Sequence, residues 1–139
     1  MIVLDSTFII DLMRGDETVR QIYEKISKKD LIYTTIFNYQ EVTYLPIEKD
    51  NDKRLAEANS FFEKIKMLYP TKSSVIISNR IISHLKKKGS PIGIVDCLIA
   101  GIAIENNAKF FTANKKHFEQ VPNLALYFVG DFFDGRRSF

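Results

Sequence analysis

From one end to the other, the chain alternates short strand-like runs with stretches of helical periodicity. That alternation limits the fold more than any other feature, because it suits strands joined by crossover helices. Residues 2–4, Ile-Val-Leu, form an unbroken apolar run, the pattern of a strand covered on both faces. Residues 31–35, 109–112 and 125–129 make three further strands, rich in β-branched and aromatic side chains. Between them lie helical patterns at 8–13, 17–27, 37–45, 51–68, 73–88 and 94–106. Pro46 stands near the end of the third, Pro70 breaks the fourth and Gly89 stops the fifth. The last, interrupted only by Asp96, predicts a helix buried nearly all round. The expected fold is a three-layer α/β domain spanning 1–139, with a mainly parallel central sheet flanked by helices.

Size and composition agree with one soluble core. The 139 residues are 45% hydrophobic and 27% charged, and eleven Phe with six Tyr supply large rings. Twenty Lys and Arg against 17 Asp and Glu leave a charge of +3, which permits a polyanionic partner without demanding one. The single cysteine, Cys97, excludes an intrachain disulfide and fits a reducing compartment. No apolar run reaches the roughly 18 residues of a membrane span, and the amino terminus lacks a basic start. The expected setting is the cytoplasm.

In parallel sheets the working groups gather at the carboxyl ends of the strands. Asp5, followed by Ser6 and Thr7, ends the first strand, and Asn114 follows the third within Thr112-Ala113-Asn114. Glu41 lies on the helix after the second strand, and Asp96 near the start of the apolar helix. Asp96 is the most informative: a carboxylate among Ile94, Val95, Leu98 and Ile99 must be paired, hydrogen-bonded or metal-bound if buried. It would equally complement the start of its own helix, just as Asp5 could simply close a turn. Glu41 alone reads as a solvated helical residue. The specificity lies in the combination. Gly-rich phosphate loops, a Ser-His-Asp order and zinc-ligand spacing of His84 or His117 with Cys97 are all absent.

Asp5-Ser6-Thr7, Asn38-x-x-Glu41, Gly93-x-x-Asp96-x-x-Ile99-Ala100 and Thr112-x-Asn114-x-x-x-Phe118 occur in this order along essentially the whole chain. In order and spacing they resemble PIN domains, and within these the VapC-type toxins of prokaryotic toxin–antitoxin pairs. The resemblance implies a metal-dependent endoribonuclease that hydrolyses RNA with metal-activated water. Asp5, Glu41 and Asp96 would then be ligands of Mg²⁺ or Mn²⁺, and Asn114 would take the fourth polar position. Thr7 would orient Asp5 or a metal-bound water. Many members carry Asp in place of Asn114, so this chain departs from the pattern and loses one charge there. The ligand chemistry is sound in itself, since both ions prefer hard oxygen donors.

The resemblance also implies a VapB-type antitoxin partner and a homodimer, with Tyr39, Tyr44, Leu45, Phe61 and Phe62 as candidate contacts. Arg14, Lys115 and Lys116, near the acids in sequence, are candidates for holding RNA phosphates. Two rival functions stand beside the toxin: a PIN nuclease of RNA processing, and a catalytically silent PIN-fold binding module. His117 reads as a surface residue that could touch substrate, and Arg136-Arg137 as a tail segment of undecided role.

Overall fold

The computed structural model describes residues 1–133 and 135–137. Five strands, β1 (Ile2–Leu4), β2 (Ile32–Thr35), β3 (Lys66–Leu68), β4 (Lys109–Thr112) and β5 (Ala125–Phe128), form one sheet in the order β3-β2-β1-β4-β5. Every neighbouring pair is parallel, so the sheet is wholly rather than mainly parallel. The connecting helices are α1 (Ser6–Met13), α2 (Glu17–Lys29), α3 (Ile36–Glu48), α4 (Asp52–Phe62), α5 (Lys72–Lys88), α6 (Ile94–Glu105), α7 (Lys115–Phe118) and α8 (Gly130–Phe133).

Side-chain alternation along the strands divides the core in two. Ile2, Leu4, Ile32, Met67, Phe111 and Tyr127 face a cluster with Phe8, Ile9, Val19, Ile22 and Phe62. Val3, Tyr33, Leu68, Phe110 and Leu126 face the opposite cluster, with Ile81, Leu85, Ile99, Ala100 and Phe118. Both faces of the sheet are therefore covered by helices, which is the three-layer arrangement expected. It explains why β1 carries no polar residue.

Several boundaries differ from expectation. The helical pattern at 51–68 stops at Phe62: Glu63 closes α4, and after a short turn the chain enters β3 at the sheet edge. No glycine or proline marks that stop, and Ile65 continues the apolar spacing of Ala58 and Phe62. α3 runs on to Glu48 with Pro46 inside its last turn, only two helical residues following it. α6 is not buried all round, because Ile94 and Val95 in its first turn are exposed. Phe62 is buried in the core and Tyr39 and Phe61 pack half-buried against it, with Tyr39 edge-on to Phe62 at 4.9 Å, whereas Tyr44 and Leu45 are exposed. Nor is Arg137 a loose tail contact. Its guanidinium lies 3.8 Å from the centre of the Tyr127 ring and donates to the Leu126 carbonyl.

The α5–α6 crossing depends on small residues. A methyl group built on Gly101 would stand 2.5 Å from the Ser74 carbonyl oxygen, and the Ser78 hydroxyl, fully buried beside it, has no hydrogen-bond partner among the described residues. An unpaired buried hydroxyl costs stability. Ser78→Ala should therefore raise the stability of the protein by about 1 kcal/mol, read as a higher denaturant midpoint. Gly101→Ala should lower it by about 1–3 kcal/mol through overpacking. A Gly101→Ala protein as stable as the parent would show that the helices are not in contact there.

Candidate active site

The strand order reverses direction between β1 and β4: β2 and β3 lie to one side of β1, β4 and β5 to the other. Such a switch point opens a crevice at the carboxyl ends of the two central strands. Leu4 is in register with Phe111, which sets Asp5 opposite Thr112 at the mouth of that crevice. The Asp5 amide donates to the Phe111 carbonyl at 2.9 Å, fixing the juncture.

Asp5 is buried, and its carboxylate is held from three elements. Oδ2 accepts from the Thr7 hydroxyl of α1 at 2.7 Å and the Thr112 hydroxyl of β4 at 2.8 Å. Oδ1 accepts from Asn38 Nδ2 of α3 at 3.1 Å. Asn38 is itself locked, since Thr35, the residue that caps α3, accepts from the Asn38 amide and donates to Asn38 Oδ1 at 2.7 Å. The second hydrogen of Asn38 Nδ2 reaches the Ser6 hydroxyl, which in turn donates to Glu41 Oε1 at 2.5 Å. One chain of bonds thus runs from Thr112 through Asp5, Asn38 and Ser6 to Glu41.

Asp96 approaches from α6, and its Oδ2 lies 3.0 Å from His117 Nδ1 at the start of the β4–β5 connection. Burial pushes the Asp5 carboxyl above its ordinary range, against the pull of the Thr7 and Thr112 hydroxyls. Glu41 is also raised, first by desolvation of its carboxylate and then by the charges of Asp5 and Asp96; Ser6 and His117 oppose this. Asp96 is raised by desolvation and by Asp5, with His117 acting the other way. Three carboxylates from distant parts of the chain therefore lie within electrostatic reach of one another.

The other sequence candidates fall less uniformly. Thr7 touches Asp5, the first of its two expected roles. Asn114 caps the short α7: its amide bonds Thr112 Oγ1, while its side chain makes no hydrogen bond to Asp5, Glu41 or Asp96. Arg14 lines a cleft that Glu41 also lines. Lys115 stands over the Phe128 ring at 5.7 Å and Lys116 is exposed, so neither is seen at the carboxylates. Ser6, Asn38 and Thr112, treated in the sequence only as parts of motifs, carry the hydrogen bonds that position the acids. His117, read as a surface residue, is exposed and places its Nδ1 beside Asp96.

The donor set consists of oxygens and suits a hard divalent cation. Asp5 is buried, Asp96 half-buried and Glu41 exposed, and among the described residues the basic side chain recorded against these acids is His117, beside Asp96. As they stand, Glu41 is turned to Ser6 and Asp96 to His117, and no three His, Cys, Asp or Glu side chains among the described residues converge closely enough to share an ion. The expected four-ligand set is accordingly not assembled, although its three acids are gathered.

Comparison with known proteins agrees with this architecture. The PIN domain family model matches residues 2–124. Ribonuclease VapC1 of Haemophilus influenzae (strain R2866) is 29% identical over 126 residues, covering 88% of this chain and 92% of that protein. Ribonuclease VapC of Rickettsia bellii is 29% identical over 143 residues, covering 92% and 96%. The crystal structure of VapBC2 from Rickettsia felis bound to a promoter DNA fragment superposes with a TM-score of 0.84 at 24% identity, over 91% of this chain and 98% of that one. VapBC-1 from nontypeable Haemophilus influenzae gives 0.82 at 25%, over 94% and 99%. With a match that runs from β1 to the turn before β5, and the acids of three motifs on one sheet edge, the chain belongs to the PIN domain family.

Proposed function

We propose that the protein is an endoribonuclease of VapC type, dependent on Mg²⁺ or Mn²⁺, and the toxin of a toxin–antitoxin pair. The carrying observation is the trio Asp5, Glu41 and Asp96, delivered by β1, α3 and α6 to the switch point of the sheet and raised together in pKa. Clustered, poorly solvated acids destabilise a protein that has no cation to place among them. Relatives named ribonuclease VapC support RNA as the substrate, and VapBC complexes of the same fold support a VapB-type antitoxin.

In this reading Asp5, Glu41 and Asp96 hold the cation, and Asn114 offers at most a neutral carbonyl oxygen. A bound divalent ion supplies an acidified water and neutralises charge on the phosphate. Asp5 is kept in place by Thr7, Thr112 and Asn38, so its carboxylate needs little reordering. Glu41 and Asp96, bonded here to Ser6 and His117, would be its other carboxylate ligands. The same acids would receive an Arg or Lys side chain of the antitoxin. Tyr44 and Ile47, exposed on α3, offer apolar surface for a homodimer, and the proposed setting is the cytoplasm. Asn114, where many members have Asp, favours a silent binding module as the second reading.

Asp96→Asn removes one charge from the trio while leaving a residue of the same shape. Cleavage of RNA in Mg²⁺ or Mn²⁺ should fall at least a hundredfold, and Mn²⁺ affinity in calorimetric titration should fall with it, while circular dichroism stays unchanged. Wild-type cleavage by a folded Asp96→Asn protein would remove the acids from catalysis. A parent protein that binds RNA but cuts none in either metal would leave the binding module.

The raised pKa of Asp5 also sets a pH dependence. The folded protein holds a proton on Asp5 at pH values where the unfolded chain has released it, so this group favours folding more as pH falls from neutral through its raised pKa toward 3.8. At neutral pH its charge opposes folding. Asp5→Asn should therefore melt a few degrees above the parent at pH 7 without divalent cation, and the gap should shrink as the buffer is acidified. A gap that stays constant with pH would mean that Asp5 is not desolvated.

A further inference from the structure

The basic cleft lined by Arg14, Lys49 and Arg54 opens beside the acids. A separate cavity, of about 270 Å³, lies toward the amino ends of the central strands, on the face of the sheet that α2 covers. Strand register builds its floor. Ile2 of β1 is level with Lys109 of β4, and Phe111, two residues on and therefore on the same face, is level with Tyr127 of β5. Phe111 and Tyr127 stack at 4.9 Å, and Phe132 of α8 stacks on Phe111 at 6.2 Å. Ile26 of α2 lines the cavity opposite them. Because α2 lies over β1 and α8 is only four residues long, the outer helical layer leaves a gap above β4 and β5, and the cavity fills that gap.

Three lysines stand at its mouth, Lys25 and Lys29 one turn apart on α2 and Lys109 on β4, and all three are exposed. One acid lies among them, Asp30, and its Oδ1 already accepts from the Leu31 amide at 2.9 Å and the Met1 amine at 2.7 Å. Lys29 and Lys109 are in no salt bridge among the described residues. Lys109 lies 5.9 Å from the centre of the Tyr127 ring, which joins the cationic mouth to the aromatic floor. Like charges at i and i+4 of one helix repel, and Lys109 adds a third, so the mouth favours a compact anion.

We infer that this cavity binds a nucleoside monophosphate, with the phosphate among Lys25, Lys29 and Lys109 and the base against Phe111, Tyr127 and Phe132. A monophosphate brings nearly two negative charges and three acceptor oxygens at neutral pH, which three ammonium groups meet as point charges. A carboxylate brings one charge and leaves the lysines opposed. The rings supply the flat apolar surface that a base requires. A volume of about 270 Å³ is close to the lower limit of small-molecule pockets, about 300 Å³, so there is room for one nucleotide rather than a length of strand or polypeptide. A free nucleotide and the end of an RNA strand share this chemistry. The inference stands apart from the nuclease reading, since it uses none of the acids.

The test uses the full chain in EDTA with AMP as the probe, read by calorimetric titration and by melting temperature. AMP should bind and raise the melting temperature as its concentration rises. Adenosine and inorganic phosphate, each with half of the ligand, should bind about tenfold more weakly or less. Lys25→Ala with Lys29→Ala should weaken AMP about tenfold, as should Lys109→Ala. Lys49→Ala with Arg54→Ala, in the cleft beside the acids, should leave AMP affinity unchanged, and so should Lys86→Ala with Lys87→Ala on α5. A 5′-phosphorylated RNA pentamer that displaces AMP, where its unphosphorylated form does not, identifies a strand end as the ligand; a pentamer that displaces none identifies the free nucleotide. Equal AMP affinity in the parent and the α2 pair overturns the inference. So does inorganic phosphate that binds as tightly as AMP, which would reduce the mouth to a general cationic patch, and so does a parent chain that shows neither heat nor a thermal shift with AMP.

Discussion

The buried carboxylate of Asp5 is the constraint around which the site is arranged. Taking an ionised acid out of water is costly unless its oxygens are met by donors. Here the donors come from three separate elements, Thr7 on α1, Thr112 on β4 and Asn38 on α3. Satisfying one charge therefore fixes the ends of two strands and the start of two helices. Thr7 further accepts from the Ala113 amide and Thr112 from the Asn114 amide, at 3.0 Å each, so the chain leaving β4 is set by the same hydroxyls. Asp5 precedes α1 in the capping position, but its side chain meets that helix through the Thr7 hydroxyl and makes no capping bond. Its carboxylate serves the crevice instead of the helix end.

This preorganisation is uneven across the three acids. Asp5 has three side-chain donors, whereas Glu41 has Ser6 and Asp96 has His117. The two lightly held groups are the ones free to change partner at modest expense. Their raised pKa values follow from the same placement, since each feels the Asp5 charge through a partly desolvated crevice. A site meant only for stability would separate these charges or neutralise them. Keeping them together makes sense when a cation, or a cationic side chain, is to be received.

How much of this is readable in sequence depends on whether the signal is local. β1, Asp5 and Asp96 were legible because an apolar run ending in Asp, or an Asp inside an apolar helix, is unusual within a few residues of itself, whereas Glu41, locally a solvated helical residue, was found only through the combination of motifs. β3 was not, because nothing near Phe62 says stop: Lys66-Met67-Leu68 is a weak strand pattern that gains its hydrogen bonds from β2. Asn38 shows an intermediate case. Thr35 with Asn38 three residues on is a capping pattern, so its local bonds could be anticipated, but its Nδ2 reaching Asp5 is a tertiary fact separated by 33 residues. His117 reaches Asp96 only because α7 is carried to the α6 start by the buried Phe118, whose ring packs at 4.7 Å on Phe110 of β4. Arg137 is equally non-local, lying on the Tyr127 ring ten residues before it.

The acids and the basic cleft are joined by the same two helices, which restricts how they can move relative to one another. α1 carries Ser6 and Thr7 at its start and Ile10, Met13 and then Arg14 toward its end. α3 presents Asn38, Glu41, Val42, Leu45 and Lys49 at helical spacing along one face, so its first turns serve the carboxylates and its last turns the cleft. At 1.5 Å per residue, Glu41 and Lys49 are separated by about 12 Å along the axis. Both helices rest on the sheet through Phe8, Ile9 and Val42, all buried. The acids and the cations are therefore held about two helical turns apart by rigid elements rather than by loops.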